Sequence, residues 1–191
     1  SELELWKLPQ VSVEEIVDRP HLRVVDVRSP GEFAEDHVPD ATNVPLLDDD
    51  QRAIVGTIYH RDSPLAARKR GVAIIRRRIG DIVRQVLSTR GEPPARSAVL
   101  ERFDALAPPL MKGEDRGRVT ECAPPDGWLE PPATGETAPV IFCCWRGGMR
   151  SRSLVLFFRS LGIRAMQLEG GYKAYRAWVR RTLGGWEYPP F

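Results

Sequence analysis

The sequence has no apolar run approaching the roughly 20 residues that a bilayer-spanning helix needs, so no membrane partner is expected. Cysteine is scarce: Cys122, Cys143 and Cys144 are an odd number, which excludes a closed disulfide framework and leaves at least one free thiol. His21, His37 and His60 stand at no ligand spacing from those cysteines, so no metal site is expected. The net charge is only +2, and the field of the whole molecule therefore does not mark a nucleic-acid binder. The opening decapeptide SELELWKLPQ has neither the basic nor the apolar segment of a secretory signal. With free thiols, a reducing cytoplasm is the expected location. The first residue is Ser1 rather than methionine, and a processed or truncated piece is the expectation that follows.

What is present is globular: 42% of residues are apolar and 28% charged over 191 residues, enough for one domain with a self-sufficient core. Ser12 and Glu15 form a capping-box pattern ahead of Val13, Ile16 and Val17, which predicts a short helix. The run from Leu22 to Val27, closed by Arg28-Ser29-Pro30-Gly31, reads as a buried parallel strand with Asp26 at its C-terminal end. A short helix over 30–35 and a short strand over 41–44 follow, then a helix through Ile58 for which Asp48, Asp49 and Asp50 supply caps and negative charge. Ser63-Pro64 then opens a long helix whose apolar positions recur from Leu65 to Val86. Val140 to Cys143 and Ala165 to Leu168 read as strands, Arg150 to Leu161 and Tyr172 to Arg181 as helices. This alternation predicts an α/β fold with a parallel sheet covered by helices on both faces. Residues 91–139, with nine prolines and five glycines, are expected to be mostly loop, helical only between Val99 and Leu106, and the segment 88–139 is read as an insertion.

The chemistry concentrates in CCWRGGMRS, residues 143–151. A strand ending at Cys143, a glycine-containing loop and a helix starting near Arg150 let several backbone N–H groups converge, and such a cradle favours an anion. Gly147 and Gly148 permit the backbone angles this requires. Cys144 stands at its mouth, where the helix terminus and Arg146, Arg150 or Arg152 favour the thiolate over the thiol. Side chains alternate along a strand, so Cys143 and Cys144 cannot point the same way; Cys143 is assigned to the packing and Cys144 to the reaction.

Four ordered segments resemble the rhodanese family: Asp26 to Phe33, His37 to Pro45, the cysteine loop, and Leu168-Glu169-Gly170-Gly171-Tyr172 with Trp178 downstream. Asp36 and Asp40 occupy positions where that family often has glycine. The stretch from Asn43 to Tyr59, the following helix with Gly71 and the loop Cys144 to Ser151 are similar to the rhodanese-like half of the tRNA 2-selenouridine synthase family. That resemblance implies a rhodanese-like fold with the active loop between a central strand and a helix. It implies that Cys144 is catalytic, that Trp145, Arg146, Gly147, Gly148, Met149, Arg150 and Ser151 form the anion-binding loop, and that Asp26, Arg28 and Glu32 support it. It implies replacement of sulfur by selenium in a wobble 2-thiouridine, through an S-geranylated intermediate, with selenophosphate as co-substrate, tRNA as partner and no bound cofactor. The same family carries a P-loop domain, and no G-x-x-x-x-G-K-[ST] pattern occurs here, so that domain is expected elsewhere on a longer chain or on a separate one.

Alternatives remain at this level: a thiosulfate or persulfide sulfurtransferase, a cysteine phosphatase, for which Cys144 and Arg150 have the Cys-x5-Arg spacing, or a non-catalytic binding module. Arg68, Lys69, Arg70, Arg76, Arg77, Arg78 and Arg84 on the long helix read as a solvated face before a tRNA surface. Of Trp128, Trp145, Trp178 and Trp186, only Trp145 is placed to stack on a base at the loop. Cys122 is read as a spectator.

Overall fold

The computed structural model describes residues 2–88, 92–113 and 117–184. Its strands are β1 (Lys7–Val11), β2 (Val24–Asp26), β3 (Thr42–Asn43), β4 (Thr120–Cys122), β5 (Val140–Cys143) and β6 (Ala165–Leu168). They form one sheet in the order β3-β2-β5-β6-β1-β4, with every pairing parallel. β5 and β6 lie inside the sheet and are buried at all four of their positions, as expected of strands with both faces covered.

The helices are α1 (Glu2–Leu5), α2 (Val13–Val17), α3 (Pro30–Glu35), α4 (Asp49–Arg61), α5 (Pro64–Leu87), α6 (Arg96–Lys112), α7 (Met149–Ser160) and α8 (Gly171–Gly184). One core layer joins Val140, Phe142 and Cys144 to Ile79, Ile82 and Val83 of α5, Val99, Leu106 and Leu110 of α6, and Leu154 to Phe158 of α7. The opposite layer joins Ile141 and Cys143 to Val13 and Ile16 of α2, Met166, Leu168 and Tyr172. The two-residue period of a strand thus sends the adjacent cysteines into different layers.

The caps are where the sequence places them. Ser12 and Glu15 close a capping box on α2, Asp48 and Gln51 one on α4, and the Ser63 hydroxyl accepts the Ala66 N–H at the head of α5.

Three features depart from expectation. The strand expected over 22–27 is confined to β2. β1 is a strand despite Pro9, between β6 and the edge strand β4, neither β1 nor β4 having been expected. The stretch expected to be mostly loop contains α6, a helix of 17 residues that continues through Pro108 and Pro109 and ends on Gly113 in the left-handed conformation. Prolines ordinarily break helices; here buried Leu106, Ala107 and Leu110, and an edge-on contact between Phe103 and Phe157, hold α6 on the core. No helix among the described residues is long and apolar enough to cross a membrane.

Candidate active site

The loop between β5 and α7 carries the site, and its backbone is held from behind. The N–H groups of Tyr172 and Lys173, at the start of α8, donate to the carbonyls of Cys144 (2.9 Å) and Trp145 (3.0 Å). The Gln167 carboxamide donates to the carbonyl of Gly147 at 2.9 Å and lies 3.4 Å from that of Gly148. In a trans peptide the N–H points opposite to the C=O, so pinning these carbonyls inward turns the following N–H groups outward. Among the described residues, no protein group accepts from the backbone N–H groups of Trp145 to Ser151. The loop is therefore a cradle of unpaired donors at a helix start, suited to a phosphate-like anion.

Gly147 has φ +68°, and Gly171, with φ +61°, presses its backbone onto the loop. A Cβ on Gly171 would lie 2.2 Å from the Cys144 carbonyl oxygen and 2.7 Å from the Gly147 nitrogen, so only glycine permits this approach.

Cys144 is 2% exposed, and its Sγ lies 3.1 Å from the Ser151 hydroxyl, itself buried. The thiol borders an apolar cavity of about 520 Å³, a volume within the roughly 300–1,000 Å³ of small-molecule sites. Its walls come from α4 (Val55, Tyr59), α5 (Ala67, Gly71, Val72, Ile75), α6 (Phe103, Leu106, Leu110, Met111) and α7 (Leu154, Phe157), with Leu46 and Leu47 leading into α4. Trp145, Arg146, Gly148, Met149 and Arg150 complete the rim, so hydrocarbon surface and anion cradle meet at one sulfur.

The charged groups divide into exposed and paired. Arg146 is exposed. Arg150 pairs with Glu32 at 3.5 Å, and Arg52 of α4 pairs with the same carboxylate at 3.0 Å. Burial alone would raise the pKa of Glu32, but the Ser29 backbone N–H and the charges of Arg150 and Arg52 hold it below the usual carboxylate value. Asp26 and Arg28, at 0% and 1% exposure, form a buried ion pair of 2.7 Å. Arg28 also donates to the Asp36 carbonyl and lies 4.0 Å from the centre of the Tyr172 ring, whose hydroxyl donates to the Asp36 carboxylate. Asp26 and Arg28 thus brace the strand end and the head of α8 without reaching the cavity, whereas Glu32 touches the site through Arg150.

Cys143 is fully buried in the opposite layer; burial, then the neighbouring Asp26, pushes its thiol well above the usual value. Trp145 packs against Tyr172, with ring centres 5.5 Å apart. On α5, Arg76 is paired with Asp104, Arg84 with Asp81, and Arg68 donates to the Met111 carbonyl, so part of the basic face is neutralised within the chain. Trp186 lies outside the described residues. The described residues contain no group of His, Cys, Asp and Glu able to hold a metal. Gln167, a buried amide in an otherwise apolar strand, and the cavity, whose far wall is the unexpected α6, carry no signal in the local sequence.

Residues 10–70 match the model of the Rhodanese-like domain. Over 161 residues, 84% of this chain, there is 34% identity to the tRNA 2-selenouridine synthase of Salmonella arizonae, of which the chain spans 32%. Identity to the synthase of Salmonella paratyphi A is 33% over 153 residues, which is 80% of this chain and 30% of that relative. The chain therefore spans about a third of the length of the curated relatives it matches. The crystal structure of the N-terminal domain of a Clostridium difficile 630 protein described as ATP/GTP-binding superposes with a TM-score of 0.60 at 28% identity, covering 88% of this chain and 97% of that one. With an all-parallel sheet, an N–H-lined cysteine loop between a central strand and a helix, and these matches, the chain carries a rhodanese-like domain similar along four-fifths of its length to tRNA 2-selenouridine synthases.

Proposed function

We propose that this chain is the rhodanese-like part of a tRNA 2-selenouridine synthase, with Cys144 as its nucleophile. The observation that carries the reading is the meeting, at one sulfur, of an anion cradle with an apolar cavity of about 520 Å³. A donor as small and polar as thiosulfate has no use for that cavity. A geranylthio group on the uracil ring would fill it, and selenophosphate would occupy the cradle. The similarity to tRNA 2-selenouridine synthases supports a selenium-for-sulfur exchange on tRNA.

In the proposed sequence the Cys144 thiolate attacks C2 of the S-geranylated 2-thiouridine and geranylthiolate leaves. Selenophosphate then attacks the same carbon through selenium, expels the Cys144 thiolate, and hydrolysis of the P–Se bond releases phosphate. Each displacement exchanges one chalcogen for another at an unchanged oxidation level. Arg146, Arg150 and the N–H groups from Trp145 to Met149 hold the phosphate, Ser151 hydrogen-bonds the thiolate, and Trp145 stacks on the base. Glu32 restrains Arg150, while Asp26 and Arg28 keep the strand end in place. tRNA is the partner, the location is the cytoplasm, and the P-loop part belongs to a longer chain or a companion chain. That the similar solved domain is the N-terminal part of a protein described as ATP/GTP-binding supports the longer chain.

The test is intact-mass analysis of the protein after exposure to an anticodon stem-loop RNA carrying S-geranyl-2-thiouridine. A protein–RNA adduct that disappears in C144S, and that selenophosphate discharges as 2-selenouridine, is the expected result. Release of phosphate from an aryl phosphate, with no adduct, would instead establish the phosphatase alternative.

A further inference from the structure

We propose that Gln167 is a positioning residue that aims the hydroxyl hydrogen of Ser151 at Cys144 and thereby sets the reactivity of the thiol. This rests on Cys144 acting as a thiolate. Gln167 is 0% exposed, in β6, and by strand alternation faces the same side as Ala165, which shares a core layer with Cys144. The orientation of its carboxamide is fixed by its neighbours. One end faces the carbonyls of Gly147 and Gly148, which only accept, so that end is the NH2 group. The other end accepts from the Gln10 amide at 2.9 Å, across the Gln10–Gln167 register of β1 and β6.

The NH2 group also lies 2.7 Å from the Ser151 Oγ, so the hydroxyl oxygen is an acceptor there and its own hydrogen must point elsewhere. Two acceptors are within reach: the Gly148 carbonyl at 3.4 Å and the Cys144 Sγ at 3.1 Å. The first is long for an O–H···O bond, usually 2.5–3.0 Å, while the second is a close contact for the larger sulfur atom. The hydrogen therefore goes to sulfur, and the donor strengthens as the thiol ionises. Gln10, Gln167, Ser151 and Cys144 form one directed chain, and no proton need cross it; Gln167 acts only through the Ser151 hydroxyl.

The experiment is the pH profile of Cys144 alkylation, followed by peptide mass spectrometry, in wild type, S151A, Q167M and the double variant. S151A and Q167M are each expected to move the profile to higher pH and to slow alkylation at pH 7 by roughly tenfold, the size of one charge-assisted hydrogen bond. The double variant is expected to match S151A alone, because without the hydroxyl there is nothing for Gln167 to aim. Q167N keeps an amide but falls one methylene short; it is expected to shift the same way and serves where Q167M does not fold. A Gln167 variant with the wild-type profile overturns the proposal. So does a further tenfold loss on adding Q167M to S151A, which would mean that Gln167 acts through the loop carbonyls instead. A wild-type Cys144 no more reactive than a model thiol at pH 7 would sink the premise, and with it the nucleophile in the proposed function.

Discussion

Gly171 stands so close to Cys144 that a methyl group on its Cα would lie 2.2 Å from the cysteine's carbonyl oxygen. The contact joins the head of α8 to the cysteine loop, and the hydrogen bonds from Tyr172 and Lys173 follow from it. G171A meets this clash together with the strain of a left-handed backbone, so it is expected to lower stability by about 2 kcal/mol or more and to abolish loop activity. G148A is the control: φ is −88° and nothing lies within 4 Å of the added carbon, so a loss below about 1 kcal/mol is expected. Chemical denaturation of both variants checks the pair.

The cavity can be narrowed without disturbing its walls. Gly71 is buried on α5, yet a Cβ built there meets no atom within 4 Å, because it projects into the open space. G71L is expected to fold at least as well as wild type, since glycine inside a helix costs about 1 kcal/mol. It is expected to bind a geranylated ligand roughly tenfold more weakly, a loss of about 1.4 kcal/mol. Melting temperature and ligand titration read the two effects separately.

Much of this site is legible in the chain itself. Alternation at the end of β5 assigns Cys143 and Cys144 to opposite layers, and the structure places them so. Caps at Ser12, Asp48 and Ser63 are equally direct, because each is a local hydrogen bond between near neighbours in sequence. What escapes is held by contacts distant in sequence. Pro9 hides β1, whose partners lie at 120–122 and 167–168. Pro108 and Pro109 hide the end of α6, which persists because its apolar face meets α5 and α7. Gln167 carries no local signal, since its meaning is the loop 16 to 20 residues away.

Alkylation should separate the two adjacent thiols. Burial pushes the Cys143 thiol well above its usual value and leaves no path to solvent, so in the folded protein it stays unmodified at pH 8 while Cys144 reacts. Peptide mapping after a short iodoacetamide pulse checks this, with a urea-unfolded sample showing that Cys143 becomes reactive once exposed.

Glu32 predicts an acid limit. Its folded-state pKa lies below the usual 4.5, so the stability it contributes is present above about pH 4.5 and is lost as pH falls through the lower, folded value. Protonation removes the partner of Arg150 and Arg52 and the acceptor for Ser29. E32Q is therefore expected to be less stable than wild type at pH 7 and to show a smaller further loss between pH 5 and pH 3. Urea midpoints across that range check it.

Covalent capture shows whether the Cys144 sulfur carries the reaction. The protein and its C144S variant are mixed with an RNA loop bearing S-geranyl-2-thiouridine and weighed intact, before and after selenophosphate. An adduct is expected on wild type alone, discharged by selenophosphate to 2-selenouridine. An adduct of equal yield on C144S, or 2-selenouridine formed at an unchanged rate without Cys144, would contradict it.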